Sequence, residues 1–250
     1  MRRLLLCAGL LFLLTARPAV ATDIHLAWDD CGAAGQEKKF FGCETNVGPA
    51  YTIVGSFIPP EGITAFVGLQ ARVWALASSD SLPDWWKHGI GQCRSNTGLT
   101  ATFDFTTGPF TCQDFFAGQA LGTLSYTVGF SGPNTARLDV AAAVDLDHAG
   151  PLDPTLEYYA FQLRFLRSRT VGPDACAGCS IPVCVFIETM QLFQTPAVNN
   201  DPIIYNAFGP AAIWQNASFA NYTEVGPVCM ALDPVPTARA TWGRIKTLFR

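Results

Sequence analysis

Charge is scarce in this chain. Aspartate, glutamate, lysine and arginine make up 14% of its 250 residues, against about a quarter in an ordinary soluble domain. Beside 49% apolar residues, that scarcity excludes a disordered chain, which combines low hydrophobicity with high net charge. Histidine occurs only as His25, His88 and His148, too scattered for a paired-histidine zinc site. No Gly-rich phosphate loop, zinc-binding helix or nucleophile elbow is present, so the usual enzyme signatures are missing. No repeat recurs at a fixed period, which argues against a solenoid or propeller. The strand patterns do not alternate with helices, which excludes a parallel α/β sheet.

What is present points to an exported β-rich protein. Twenty-two Gly, 17 Pro and 18 Phe suit short strands joined by turns. Arg2 and Arg3, an apolar run from Leu4 to Leu14 and Ala19-Val-Ala21 have the layout of a cleaved signal peptide over 1–21. The apolar run falls well short of the roughly 20 residues that span a bilayer. No later stretch is long enough to do so either, and no transmembrane span is expected. Without residues 1–21, 13 basic residues face 20 acidic ones, and the stretch from Thr22 to Ala238 carries a net −11. Such a body repels phosphate backbones, so nucleic acid is not an expected partner.

Eight cysteines follow the leader: Cys31, Cys43, Cys93, Cys112, Cys176, Cys179, Cys184 and Cys229. An even count in an exported chain reads as a disulfide framework with 105 possible connectivities. Sequence proximity suggests 31–43, 93–112, 176–179 and 184–229. Cys176-Ala-Gly-Cys179 also has the spacing of a redox motif or half a zinc site. However, a strand pattern follows it, where a redox cysteine needs a helix N-terminus. No metal or cofactor is expected.

Period-two alternation marks roughly seven to nine strands. They fall at Asp23–Trp28, Tyr51–Phe57, Ile63–Ala77, Leu99–Phe105, Leu121–Phe130, Leu138–Leu146, Glu157–Arg167 and Val183–Phe193, with shorter candidates at 201–205 and 212–215. In the third, Leu69, Ala71, Val73 and Ala75 share one face and Gln70, Arg72 and Trp74 the other, as in an antiparallel sheet with one wet side. Val183–Phe193 is apolar on both faces, as a central or doubly covered strand would be. The expected fold is an all-β antiparallel sandwich of jelly-roll-like character over 22–229.

Three groups are candidates for chemistry. Trp85 and Trp86, beside Asp84 and Lys87, resemble the aromatic platform of a carbohydrate-binding module. Their more ordinary role is to cap a core. Asp145, Asp147 and His148, followed by Asp153, offer carboxylates for calcium or for glycoside hydrolysis. A polar turn after a strand explains them as well. Asp29 and Asp30, next to Trp28, read as turn initiators.

Residues 230–240 are rich in Pro and Ala and read as a linker. Beyond them Trp242, Ile245, Leu248 and Phe249 fall at helical spacing, with Arg244, Lys246 and Arg250 between. Thr241-Trp242-Gly243-Arg244-Ile245-Lys246-Thr247-Leu248-Phe249-Arg250 resembles a Thr-Trp-Gly-x-x-Lys-x-Leu-Tyr-Arg ending of exported proteins of environmental bacteria. Trp28-Asp-Asp-Cys31, Phe41-Gly-Cys43-Glu-Thr-Asn46 and Cys176-Ala-Gly-Cys179 to Pro182-Val-Cys184 resemble the same group. Phe249 stands where that pattern has Tyr. The resemblance implies export and a recurring short helical tail over 241–250, and no activity. The sequence therefore leads to a non-catalytic secreted, cell-surface or periplasmic protein, with a glycan or cell-envelope component as partner. The alternative is a secreted hydrolase working through Asp145, Asp147 and His148.

Overall fold

The computed structural model describes residues 23–205 and 211–215. Eleven strands run through them: β1 (Asp23–Trp28), β2 (Lys38–Lys39), β3 (Tyr51–Ile58), β4 (Phe66–Ala77), β5 (Leu99–Thr102), β6 (Leu121–Val128), β7 (Thr135–Ala143), β8 (Tyr158–Phe165), β9 (Val183–Gln194), β10 (Ile203–Tyr205) and β11 (Ala212–Trp214). They form two sheets. One has the order β1-β3-β8-β5, and the other β2-β11-β9-β4-β7-β6, with β10 also paired to β9. All pairs are antiparallel except β11 with β2. This is the expected β-sandwich.

Alternation decides which side chains fill the space between the sheets. Ile53, Phe57, Phe161, Leu163 and Phe165 face inward from the smaller sheet; Leu69, Val73, Leu138, Val140, Val185, Ile187 and Leu192 do so from the larger. Each fully buried side chain of this kind contributes about 1.5–3 kcal/mol relative to exposure. The apolar start of β9 is covered on its second face too, where Cys184 packs with Leu76, Ala211 and Ile213.

Several strand ends differ from the sequence reading, each for a local reason. β4 starts at Phe66 rather than Ile63, because the N–H groups of Thr64 and Ala65 donate to the Gln194 side-chain oxygen at 2.8 and 3.2 Å instead of to a ladder. β5 stops at Thr102, and Phe105 turns onto the outer side of the smaller sheet, stacking on Tyr159 at 4.3 Å. β7 stops at Ala143; Leu146 lies in a 3-10 turn and is exposed. β2 was not expected, since two residues carry no period. The tail over 241–250 and the linker over 230–240 lie outside the described residues, as do residues 1–21.

The disulfides correct the pairings expected from proximity. Cys31 bonds Cys112, Cys43 bonds Cys179 and Cys93 bonds Cys176, so 31–43, 93–112 and 176–179 do not form. The chain crosses repeatedly between sheets, which brings distant segments together while neighbours in sequence diverge. Cys184 is also disulfide-bonded, and its expected partner Cys229 lies outside the described residues.

Candidate functional site

Trp85 and Trp86 are both fully buried, so neither presents a face to a sugar and the expected aromatic platform is corrected. They lie in a short 3-10 turn, Asp84–Trp86, that folds inward and joins Trp214, Trp28, Phe41, Tyr51 and Phe165 in one aromatic cluster. The indole N–H of Trp85 donates to Thr170 Oγ1 at 3.0 Å, that of Trp28 to the Ile213 carbonyl at 3.1 Å and that of Trp214 to the Cys179 carbonyl at 2.5 Å. The cysteine-rich loop after β8 closes over this cluster, held by the Cys43–Cys179 and Cys93–Cys176 bonds. Those cysteines are structural ties rather than a redox or metal motif.

Asp145, Asp147 and His148 do come together, with ligand atoms within 4.8 Å of one another, but all three are exposed. Their turn, Leu146–His148, follows Asp145, and His148 Nδ1 pairs with Asp147 Oδ1 at 3.2 Å. Among the described residues no wall excludes water around them, and both tryptophans are sealed in the core. A hydrolytic pair needs a general acid shielded enough to hold its proton, so the geometry gives the hydrolase expectation no support.

Asp29, Asp30 and Glu157 are occupied structurally. Asp29 starts the turn after β1 with φ 71° and pairs with Lys39. Asp30 accepts from Tyr159 Oη at 3.0 Å and from Thr111 Oγ1 at 2.5 Å, anchoring the loop that carries Cys112. Glu157 accepts from Ser56 Oγ at 2.6 Å and meets His25 Nδ1 at 2.7 Å. That bond raises the His25 pKa against the opposing effect of burial. Burial pushes Glu157 up, yet the His25 and Ser56 hydrogen bonds hold it below its ordinary value. Gly32, at φ +47°, gives this carboxylate room, because a Cβ there would lie 2.3 Å from Glu157 Oε2.

The outer face of the larger sheet is organised differently. Its register lines up Tyr205, Thr189, Arg72, Asp139 and Ser125 across β10, β9, β4, β7 and β6. The next row runs through Ile203, Gln191 and Gln70. Between β4 and β9 the register shifts so that Arg72 pairs with Thr189 and Val73 with Ile187. The extra residue is Glu188, a bulge that turns two successive side chains, Glu188 and Thr189, to the same face. Glu188 Oε2 then accepts from Trp74 Nε1 at 3.0 Å and lies 3.5 Å from Arg72 Nη1. On the other flank Arg72 Nε is 3.7 Å from Asp139, whose second oxygen accepts from Arg137 Nε at 3.0 Å.

The result is a shallow trough of about 340 Å³ floored by Gln70, Arg72, Glu188 and Gln191 and bordered by Ile203 and Tyr205. Tyr205 is 67% exposed and Phe130, in edge contact with Trp74, 52%. Arginine and carboxylates neutralise one another here. The sequence placed Gln70, Arg72 and Trp74 on a wet face but not Glu188, because a bulge leaves no mark in an alternation pattern. Tyr205 was seen only as part of a short strand.

No protein-family model matches the chain, and no curated protein does. Among solved structures, a cohesin module from a Clostridium perfringens family 33 glycoside hydrolase aligns with a TM-score of 0.36 and 7% identity, over 77% of this chain and 94% of that one. A likeness that slight carries no argument about this protein.

Proposed function

We propose that this is an exported, non-catalytic binding protein whose recognition surface is the outer face of the larger sheet, and that the trough around Arg72 takes a neutral glycan. The observation that carries this reading is the Glu188 bulge. It gathers amides, a guanidinium and two carboxylates beside exposed aromatic rings on a face that is otherwise open. Planar polar groups next to an aromatic wall suit a ligand with hydroxyls around its edge and C–H groups on its faces. Because the charges pair internally, an ionic ligand gains little there. The three disulfides among the described residues are in keeping with an oxidising compartment, and no helix among those residues is long and apolar enough to cross a membrane.

A glycan array probed with the protein lacking residues 1–21 tests this. At least one neutral oligosaccharide is expected to bind, and Tyr205→Ala and Arg72→Ala each to weaken it about tenfold or more. No neutral binder, or binding indifferent to both substitutions, refutes the reading.

The basic tail at Trp242, Arg244, Ile245, Lys246, Phe249 and Arg250 has a separate role in this proposal. Ten residues are too few for a stable isolated helix, so the tail acts by docking and retains the protein at the cell surface. Deleting 241–250 is expected to move the protein from the envelope fraction to the medium while leaving its thermal unfolding unchanged. An unaltered distribution contradicts that role.

A further inference from the structure

The outer face of the smaller sheet holds a second concavity, of a different chemical character. Part of that face is covered by the loop that Cys31–Cys112 ties down, where Phe105 stacks on Tyr159. Beyond the loop's edge lies a bowl of about 330 Å³ lined by Thr52, Thr102, Asp104, Thr107, Gln162 and Arg164. The register explains its floor: Arg164 on β8 sits opposite Thr52 on β3, and Gln162 two residues earlier sits opposite Thr102 on β5.

Two of these side chains have no partner among the described residues. Among the described residues, Arg164 is the one lysine or arginine whose side chain makes no hydrogen bond, ion pair or ring contact. Gln162 is only 8% exposed, and its amide makes no hydrogen bond among the described residues. Most of the Gln162 side chain is packed away while it lines the bowl, so the amide is held in one place with its hydrogen-bonding groups available to a ligand. Asp104, at the rim, does not neutralise Arg164. Its Oδ1 is engaged by the backbone N–H and hydroxyl of Thr106 at 2.9 and 2.5 Å.

We propose that this bowl binds the carboxylate of an acidic sugar residue, with Arg164 on the carboxylate and Gln162, Thr52 and Thr102 on the hydroxyls beside it. An arginine fork matches a carboxylate in two parallel hydrogen bonds. The bowl has room for a single ring, at the small end of ligand sites. The Asp104 charge and the net acidity of the body turn away multiply charged ligands such as nucleotides or sulfated polymers. The site lies on the opposite sheet from the neutral-glycan trough and stands without it.

Titrating the mature chain with methyl glucuronide and, separately, with methyl glucoside and acetate tests this by backbone-amide NMR. The glucuronide is expected to shift the resonances of Thr102, Gln162 and Arg164 saturably, with the glucoside and acetate at least tenfold weaker. Arg164→Gln is expected to weaken glucuronide binding tenfold or more, and Gln162→Met to weaken it while leaving the fold's spectrum intact. Equal binding of glucoside, acetate as effective as glucuronide, affinity unchanged by Arg164→Gln, or no shift at these three residues overturns the proposal. The mapping on the unmodified chain decides the matter even if a variant folds poorly.

Discussion

His88 and Arg94 lie side by side in the aromatic interior, and no carboxylate among the described residues joins either. Arg94 is fully buried. Its guanidinium donates to the carbonyls of Trp85, at 3.1 Å, and Leu166, and rests 3.8 Å from the Trp85 ring. Burial draws its pKa down to about 9, so it stays charged at neutral pH and ties the Trp85 turn to the end of β8. Gly98 is required beside the pair, since a Cβ there would lie 2.6 Å from His88 Nδ1 and 2.8 Å from Arg94 Nε. Burial and then the Arg94 charge depress His88 to about 3, offset only in part by the Arg94 backbone. The neighbouring Tyr126 hydroxyl is pushed the other way by burial and stays neutral.

The sign of the resulting pH dependence follows from these shifts. An unfolded His88 takes up a proton near 6.5 and the folded one does not, so its contribution is complete above 6.5 and declines as pH falls toward 3. His25, with its raised pKa, contributes below 6.5 and loses that contribution as pH rises through its folded value. Glu157, with its lowered pKa, begins to lose its contribution only below about 4.5. Between pH 6.5 and 4.5 the His88 effect therefore stands apart from that pair. Chemical denaturation across this window is expected to show the folding constant falling by up to about tenfold per pH unit, and His88→Gln to flatten the slope. A slope retained in that variant contradicts the assignment.

At the scale of elements, the loop between β8 and β9 and the loop between β5 and β6 do different work. The first caps the tryptophan cluster through two disulfides and through Asn46, whose side chain bonds Thr170 and Val171. The second only covers part of an outer face. Replacing Cys93 and Cys176 together by Ser is expected to cost about 2–5 kcal/mol and to reduce the near-ultraviolet circular dichroism of the tryptophans. Replacing Cys31 and Cys112 lowers stability but leaves that signal largely intact. Equal spectral loss in the two pairs goes against this division.

The strands themselves were legible because alternation is a local property: β1, β3, β8 and β9 lie almost where the sequence pattern puts them. The disulfide partners were not, because Cys43 meets Cys179 only after the sheets have formed. Nor could the sequence tell that Trp85 and Trp86 turn inward. That depends on Trp214 and Phe165, far away in the chain, being there to receive them.

At the scale of the whole molecule, the two outer faces diverge from a shared interior. The larger sheet carries a charge-compensated trough beside exposed rings, and the smaller a bowl with an unpaired arginine. Composition already hinted at this economy. With so little charge in the chain, pairing Arg72 with two acids while leaving Arg164 free separates the faces chemically. The sequence exposed part of the trough, since Gln70 and Arg72 share the wet face of their strand. The bulge at Glu188 and the loop that walls the bowl depend on cross-strand register and packing, which alternation does not encode.

The most direct test is to map the strongest neutral glycan from the array onto the protein by backbone-amide NMR. The largest shifts are expected at Gln70, Arg72, Thr189, Gln191 and Tyr205. Shifts concentrated instead at the exposed Asp145–His148 turn, or spread without focus over both sheets, would contradict recognition by the outer face of the larger sheet.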